Sequence, residues 1–108
     1  MTKDPRVYLA HILECIQRIE RFTAGGKKRF LSDVMMQDAV LRNFEVIGEA
    51  AKRLSEEFKN QHPAIPWRKI TGLRDVLIHR YMEADTSEVW QAATHDIKEL
   101  KAALESSV

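Results

Sequence analysis

The sequence contains few of the features of secreted, membrane-spanning or strongly basic proteins. Its 108 residues include one cysteine, so no internal disulfide can form, as is usual in the reducing cytoplasm. No hydrophobic run approaches the roughly 20 residues that span a membrane, and residues 1–6 lack the apolar core of a signal peptide. Seventeen basic and sixteen acidic residues give a net charge of +1, which argues against binding nucleic acid by bulk charge. We therefore expect a soluble cytoplasmic protein without a membrane contact.

Several motifs of catalysis and ligand binding are also missing. There is no glycine-rich nucleotide loop, internal repeat or low-complexity segment, and no strand-like alternation of polar and apolar residues. The four histidines have no spacing typical of metal ligands: His11, His62, His79 and His95. Cys15 lies among Ile12 and Ile16, which favours a small buried side chain over a reactive nucleophile. We expect neither a metal nor a cofactor.

The residues that are present predict helices, beginning with a helix near the N-terminus. Asp4 can accept hydrogen bonds from free backbone N–H groups, and Pro5 fits the first helical position. Apolar residues at helical spacing continue to about Thr23, where Gly25 and Gly26 favour a helix end. The basic run of residues 27–29 is interpreted as a solvated loop.

A second, longer helix is predicted to begin at Ser32 or Asp33. Its apolar residues recur every three or four positions, close to a coiled-coil period: Met36, Val40, Phe44, Ile47, Ala51, Leu54 and Phe58. Asn43 falls on this apolar face, where a polar side chain is costly unless it is hydrogen-bonded. Asn43 therefore either fixes the register of the helices or lines a functional site.

The rest of the chain predicts two further helices. Pro63 and Pro66 interrupt the helical pattern, after which Trp67 and Ile70 are expected to anchor a helix in the core. Asp85 is predicted to cap the last helix, whose inward-facing residues are Val89, Trp90, Ala93, Ile97, Leu100 and Leu104. The sequence thus predicts an all-α, up-and-down bundle of four main helices, in one domain that covers residues 1–108.

The most informative stretch is 71–84, which brings an arginine, a histidine and a tyrosine together. Asp75 and His79 are four residues apart, so on a helix the carboxylate can accept a hydrogen bond from the imidazole and favour its protonated form. Arg74 and His79 would lie about 140° apart around a helix, too far to clasp one small group. If two copies met across a two-fold axis, however, Arg74 of one could approach His79 of the other. The alternative is that these charges are solvated and Tyr81 merely packs with its hydroxyl exposed.

Arg74, His79 and Tyr81 form the pattern Arg-x4-His-x-Tyr, which resembles the motif of the HepT group of HEPN-domain toxins. Residues 42–54 resemble the second-helix signature of that family, residues 66–70 its lead-in to the motif, and residues 85–90 the start of its last helix. The order and separations fit as well, so the resemblance extends over nearly the whole chain.

This resemblance implies a homodimeric, metal-independent endoribonuclease that acts as the toxin of a HepT/MntA-type toxin–antitoxin pair. Arg74 would bind the scissile phosphate and His79 would transfer protons, with Asp75 and Asn43 in supporting roles. The site would be a composite of two protomers.

The resemblance also implies that an MntA-like nucleotidyltransferase antitoxin silences the toxin by attaching AMP to Tyr81. The added phosphate charge would occupy the pocket meant for substrate RNA. Two alternatives remain: a non-catalytic helical interaction module that docks with and is modified by a nucleotidyltransferase, and a helical dimer with a purely structural role.

Overall fold

The computed structural model describes residues 4–73 and 86–107, and these residues are helical with short connections. No strand occurs within them, which confirms the predicted all-α fold. The elements are α1 (Pro5–Thr23), α2 (Lys27–Leu31), α3 (Val34–Lys52), α4 (Glu56–Gln61), α5 (described over 67–73), α6 (Thr86–Gln91), a π-helical turn (Ala92–Asp96) and α7 (Ile97–Ser107).

Helix α1 begins and ends where the sequence predicts. The Asp4 carboxylate accepts a hydrogen bond from the backbone N–H of Arg6 at 2.9 Å, and Pro5 occupies the first turn. At the other end Gly26 adopts φ 97°, a left-handed conformation that a side chain would strain. The helix is therefore closed by a capping carboxylate and a glycine turn.

The basic run of residues 27–29 forms the helical turn α2, so its interpretation as a loop was wrong. The three basic side chains are exposed, but Phe30 follows them and is only 1% exposed. The Phe30 ring lies 5.4 Å from the ring of Trp90. Burial of this aromatic ring fixes the segment against α6, and the sequence pattern alone did not indicate that contact.

Helix α3 begins as predicted but ends earlier than predicted. Asp33 Oδ1 accepts from the Met36 N–H at 3.1 Å and thereby caps the helix. The helix stops at Lys52, and Ser55 caps a separate helix, α4, by accepting from the Phe58 N–H at 3.1 Å. The prediction of one helix through Phe58 was therefore wrong, because the Ser55 hydroxyl starts a new helix there.

The last helix contains a π-helical turn that the sequence did not predict. Its predicted inward-facing residues are buried, except that Trp90 is partly exposed. Its predicted cap, Asp85, lies outside the described residues. An extra residue in a turn rotates the following side chains, so the turn sets which residues of α7 face α1 and α5.

The main helices enclose one hydrophobic core. Helix α1 packs along α3, while α7 and the π-helical turn pack against α1. Cys15 is fully buried in this core, and burial raises the pKa of its thiol. This agrees with the prediction of a small buried side chain. Among the described helices, none is both long and apolar enough to cross a lipid bilayer.

Candidate functional site

The motif residues Arg74, Asp75, His79 and Tyr81 lie outside the described residues. The structure describes the chain up to Leu73, immediately before the motif, and again from Thr86 onward. The described residues that flank the motif along the chain belong to the lead-in helix α5 and to the last helix, and α5 lines a cavity with α3 and α4.

Helix α5 is anchored in the core directly before the motif. Ile70 is 1% exposed and Leu73 is 4% exposed, so the predicted role of Ile70 as an anchor is confirmed. The indole N–H of Trp67 donates to the carbonyl oxygens of Lys59 at 3.2 Å and His62 at 3.1 Å. These contacts confirm Trp67 as an anchor as well and fix the chain on the bundle up to the residue before Arg74.

A charged cluster joins α5 to the last helix. The Lys69 ammonium donates to Glu99 Oε2, and His95 Nε2 lies 3.5 Å from Glu99 Oε1. The hydrogen bond from Lys69 lowers the pKa of the Glu99 carboxyl, and the same bond raises the pKa of the Lys69 ammonium. This ion pair links the motif's lead-in helix to α7.

Asn43 is the one buried polar residue among those described, with 7% of its surface exposed. Its side-chain amide N–H donates to the backbone carbonyl of Ala39 in the same helix, at 2.8 Å. This bond lies within α3, so it satisfies one N–H of the amide without joining two helices, and a register role would need a partner on another helix. Asn43 lies beside the core rather than on an exposed surface, as its position in the sequence predicted.

A polar groove of about 450 Å³ runs between α1 and the C-terminal half of α3. Its charged lining includes His11, Arg42, Glu45 and Arg53, and Arg42 Nη1 lies 3.4 Å from Glu45 Oε1. Charged residues that recur at helical spacing from 42 to 53 would have indicated this groove. Two arginines and two glutamates line it, and their opposite charges offset the field that an anion would experience.

A smaller cavity of about 260 Å³ lies between α3, α4 and α5. Its lining among the described residues consists of Gly48, Ala51, Lys52, Lys59, Trp67 and Thr71. The sequence pattern did not predict this cavity, although a tryptophan before the motif and a lysine at the end of α3 are signals of it. The cavity combines an aromatic ring and two amines close to the start of the motif.

Within 4–73 and 86–107, no group of three or more histidine, cysteine, aspartate or glutamate side chains is arranged to hold a metal ion. The described surroundings offer charged groups of both signs, hydrogen-bond donors and an aromatic ring.

Comparison with known proteins gives one consistent family. The family described as "Ribonuclease HepT-like" matches residues 12–107. The chain is 42% identical over 106 residues to "Probable ribonuclease HepT" from Thermococcus cleftensis, covering 97% of this chain and 96% of that protein. It is 41% identical over 100 residues to "Putative RNase" from Caldanaerobacter subterraneus subsp. tengcongensis, covering 92% of this chain and 89% of that protein.

A third relative is a longer protein. The chain is 41% identical over 102 residues to "Gamma-glutamylcyclotransferase and putative RNase" from Methanocaldococcus jannaschii, covering 94% of this chain but 46% of that protein. The chain thus spans about half the length of that relative. No solved structure matches the chain.

Proposed function

The chain belongs to the HepT-like ribonuclease family, and we propose that it is the endoribonuclease toxin of a HepT/MntA-type toxin–antitoxin pair. It would act as one helical domain in the cytoplasm and cleave RNA without a metal ion. The observation that carries the proposal is the family match over residues 12–107, a range that includes Arg74, His79 and Tyr81.

RNA supplies its own nucleophile, which is why a short motif suffices for the chemistry. The ribose 2′-oxygen attacks the neighbouring phosphorus while a base accepts its proton, and the bond to the 5′-oxygen breaks as an acid protonates it. His79 serves as one of these proton-transfer groups. Arg74 stabilises the charge on the phosphate with its forked guanidinium, and Asp75 orients His79 or the substrate. The products are a 2′,3′-cyclic phosphate and a free 5′-hydroxyl, with no change in oxidation state.

The proposed active unit is a homodimer. One His79 per protomer provides one proton-transfer group, whereas the reaction needs a base and an acid. Two protomers related by a two-fold axis provide two histidines and two arginines around a shared cleft. The dimer is therefore part of the proposed mechanism.

The ribonuclease proposal is tested by incubating the purified protein with RNA in EDTA. We expect cleavage by the wild type, a loss of roughly 10²- to 10⁴-fold in His79→Ala and of roughly 10²- to 10³-fold in Arg74→Ala. His95→Ala is the matched control, because His95 is an exposed histidine paired with Glu99. Cleavage that persists in both motif variants would come from a contaminant, and the assignment would fail.

The proposed regulation is AMP transfer to Tyr81 by an MntA-like nucleotidyltransferase. Each AMP brings a phosphate charge next to Arg80 and Arg74 in the sequence and would compete with RNA for the arginine. Mass spectrometry after incubation with ATP and a nucleotidyltransferase of the MntA type should place the added mass on Tyr81, and Tyr81→Phe should gain none. Modification of Tyr81 in a protein that never cleaves RNA would instead favour the non-catalytic interaction module.

A further inference from the structure

We propose that the α3–α5 cavity, lined by Gly48, Ala51, Lys52, Lys59, Trp67 and Thr71, binds one nucleotide of the RNA strand next to the cleaved bond. This subsite rests on the proposed ribonuclease function and adds to it a binding site outside the motif. Its parts are an aromatic wall, two amines and a floor of small residues.

Trp67 provides the aromatic wall, and its position is fixed before any ligand arrives. Its indole N–H is already engaged by the carbonyl oxygens of Lys59 and His62, and its ring packs edge-on against Phe58 at 6.4 Å between centroids. The N–H therefore contributes nothing to base recognition, whereas the ring can contact a base without losing conformational freedom on binding. Stacking of this kind tolerates any base, since each base has a π face.

Lys52 and Lys59 provide the positive charge. Lys52 is exposed and makes no ion pair with another described residue. Lys59 Nζ lies 3.7 Å from Glu56 Oε1, but Glu56 is largely exposed, so this pair is screened by water. Two amines beside an aromatic ring match the phosphate and base of a single nucleotide.

The shape of the cavity suits one nucleotide unit rather than a longer segment. Gly48 and Ala51 lie on the face of α3 that lines it, and neither carries a side chain larger than a methyl group. Its volume of about 260 Å³ is below the roughly 300 Å³ at which pockets for drug-sized ligands begin. A base therefore enters the cavity while the strand continues outside it.

The cavity also lies close to the motif along the chain. Thr71 lines it, and Arg74 follows three residues later. Three residues span at most about 11 Å even when fully extended. A phosphate bound by Arg74 and a base held against Trp67 can therefore belong to the same strand.

Intrinsic fluorescence tests the aromatic contact, because the chain has two tryptophans. Trp90→Phe leaves Trp67 as the reporter and keeps an aromatic ring against Phe30, whereas Trp67→Phe leaves Trp90 as the reporter. A 2′-O-methyl oligoadenylate binds without being cleaved, because its nucleophile is blocked. We expect it to change the emission of Trp90→Phe and not that of Trp67→Phe. Unchanged Trp67 emission at saturating oligoadenylate would overturn the proposal.

Affinity and salt dependence test the charged contact, measured by fluorescence anisotropy of the labelled oligoadenylate. Lys52→Gln should weaken binding and lower the slope of log affinity against log salt concentration by about 0.7, the value for one phosphate contact on a single strand. Lys98→Gln is the matched control, since Lys98 is an exposed lysine of α7 outside the cavity lining. Equal affinities and slopes for the two variants would contradict the subsite.

Truncation of the ring should have the larger effect. Trp67→Leu should weaken binding between about 5-fold and about 140-fold, the range expected for the loss of one base stack. Circular dichroism checks that Trp67→Leu folds. If it does not fold, the comparison of Lys52→Gln with Lys98→Gln tests the subsite instead. Two outcomes separate this subsite from the ribonuclease proposal. If the wild type cleaves RNA but Lys52→Gln binds the oligoadenylate as tightly as Lys98→Gln, only the subsite is refuted. If the wild type binds the oligoadenylate at Trp67 but cleaves no RNA, only the ribonuclease proposal is refuted.

Discussion

At Asn43, the contribution of the side-chain amide to stability can be separated from its proposed contribution to the site. Its amide N–H bonds to the Ala39 carbonyl within α3, and that carbonyl also belongs to the helical ladder. Replacing Asn43 by an apolar residue of similar size therefore removes a second bond to this acceptor rather than its only one. The structural need for an amide at this position is small.

We therefore expect Asn43→Leu to change the free energy of unfolding by less than about 1 kcal/mol. If Asn43 supports the site, the same variant should cleave RNA about tenfold more slowly, comparable to the loss of one hydrogen bond to the substrate. Urea denaturation and initial cleavage rates measure the two effects. A loss of about 2 kcal/mol or more with unchanged cleavage would instead assign Asn43 to helix register.

At the scale of the helices, side chains that act locally were predictable and those that act through packing were not. Asp33 caps α3 as expected, since a capping carboxylate needs only its own neighbours along the chain. The Ser55 cap was missed because Leu54 and Phe58 continue the apolar period across it. The conformation of α2 depends on the Phe30 ring against Trp90, a contact between residues far apart in sequence. Sequence periodicity contains no information on such contacts.

The cap of α3 gives a prediction about stability. Asp33→Ala leaves the N–H of Met36 without its acceptor and should cost about 1 kcal/mol of unfolding free energy. Asp33→Gly should cost only a few tenths of a kcal/mol, because glycine adopts the capping conformation and leaves the N–H open to water. Thermal denaturation of both variants measures the difference. Equal losses in the two would show that the carboxylate is not acting as a cap.

The ion pair between α5 and α7 gives a prediction about pH. The pKa of Glu99 is lowered, so its contribution is present above the ordinary value of about 4.3 and is lost as the pH falls through the lowered value. The pKa of Lys69 is raised, so its contribution is present below its ordinary value of about 10.4 and is lost as the pH rises through the raised one. The pair therefore stabilises the fold between these limits.

Glu99→Gln should consequently lower the urea midpoint slightly at pH 7, and the difference should disappear only when the pH has fallen below the lowered pKa of Glu99, where the wild-type carboxyl is also neutral. Added salt should shrink the difference at pH 7, because both groups are exposed. Glu105→Gln, an exposed glutamate of the same helix outside this ion pair, is the control. A difference that persists at low pH would assign the effect to packing rather than to charge.

At the scale of the whole molecule, the sequence predicted the fold class and the family but not the geometry of the proposed site between two copies. Helical period and capping residues depend on one chain, and they led to an all-α bundle. The α3–α5 cavity was not predicted, because it forms where three helices meet. The proposed composite site adds a further requirement, since Arg74 and His79 of different protomers would meet only through a surface that no single-chain pattern specifies.

Mixing the wild type with inactive His79→Ala tests the proposed shared cleft directly. A mixed dimer contains one His79, so its cleft lacks either the base or the acid. Random exchange at equal amounts leaves about a quarter of the dimers with both histidines, so activity should fall to about a quarter of that of the same total amount of wild type. Cleavage assays after exchange, with sedimentation to verify the dimer, measure this loss. Activity of about half would show that each protomer's histidine works without the other, and a monomer that cleaves RNA would remove the dimer from the mechanism.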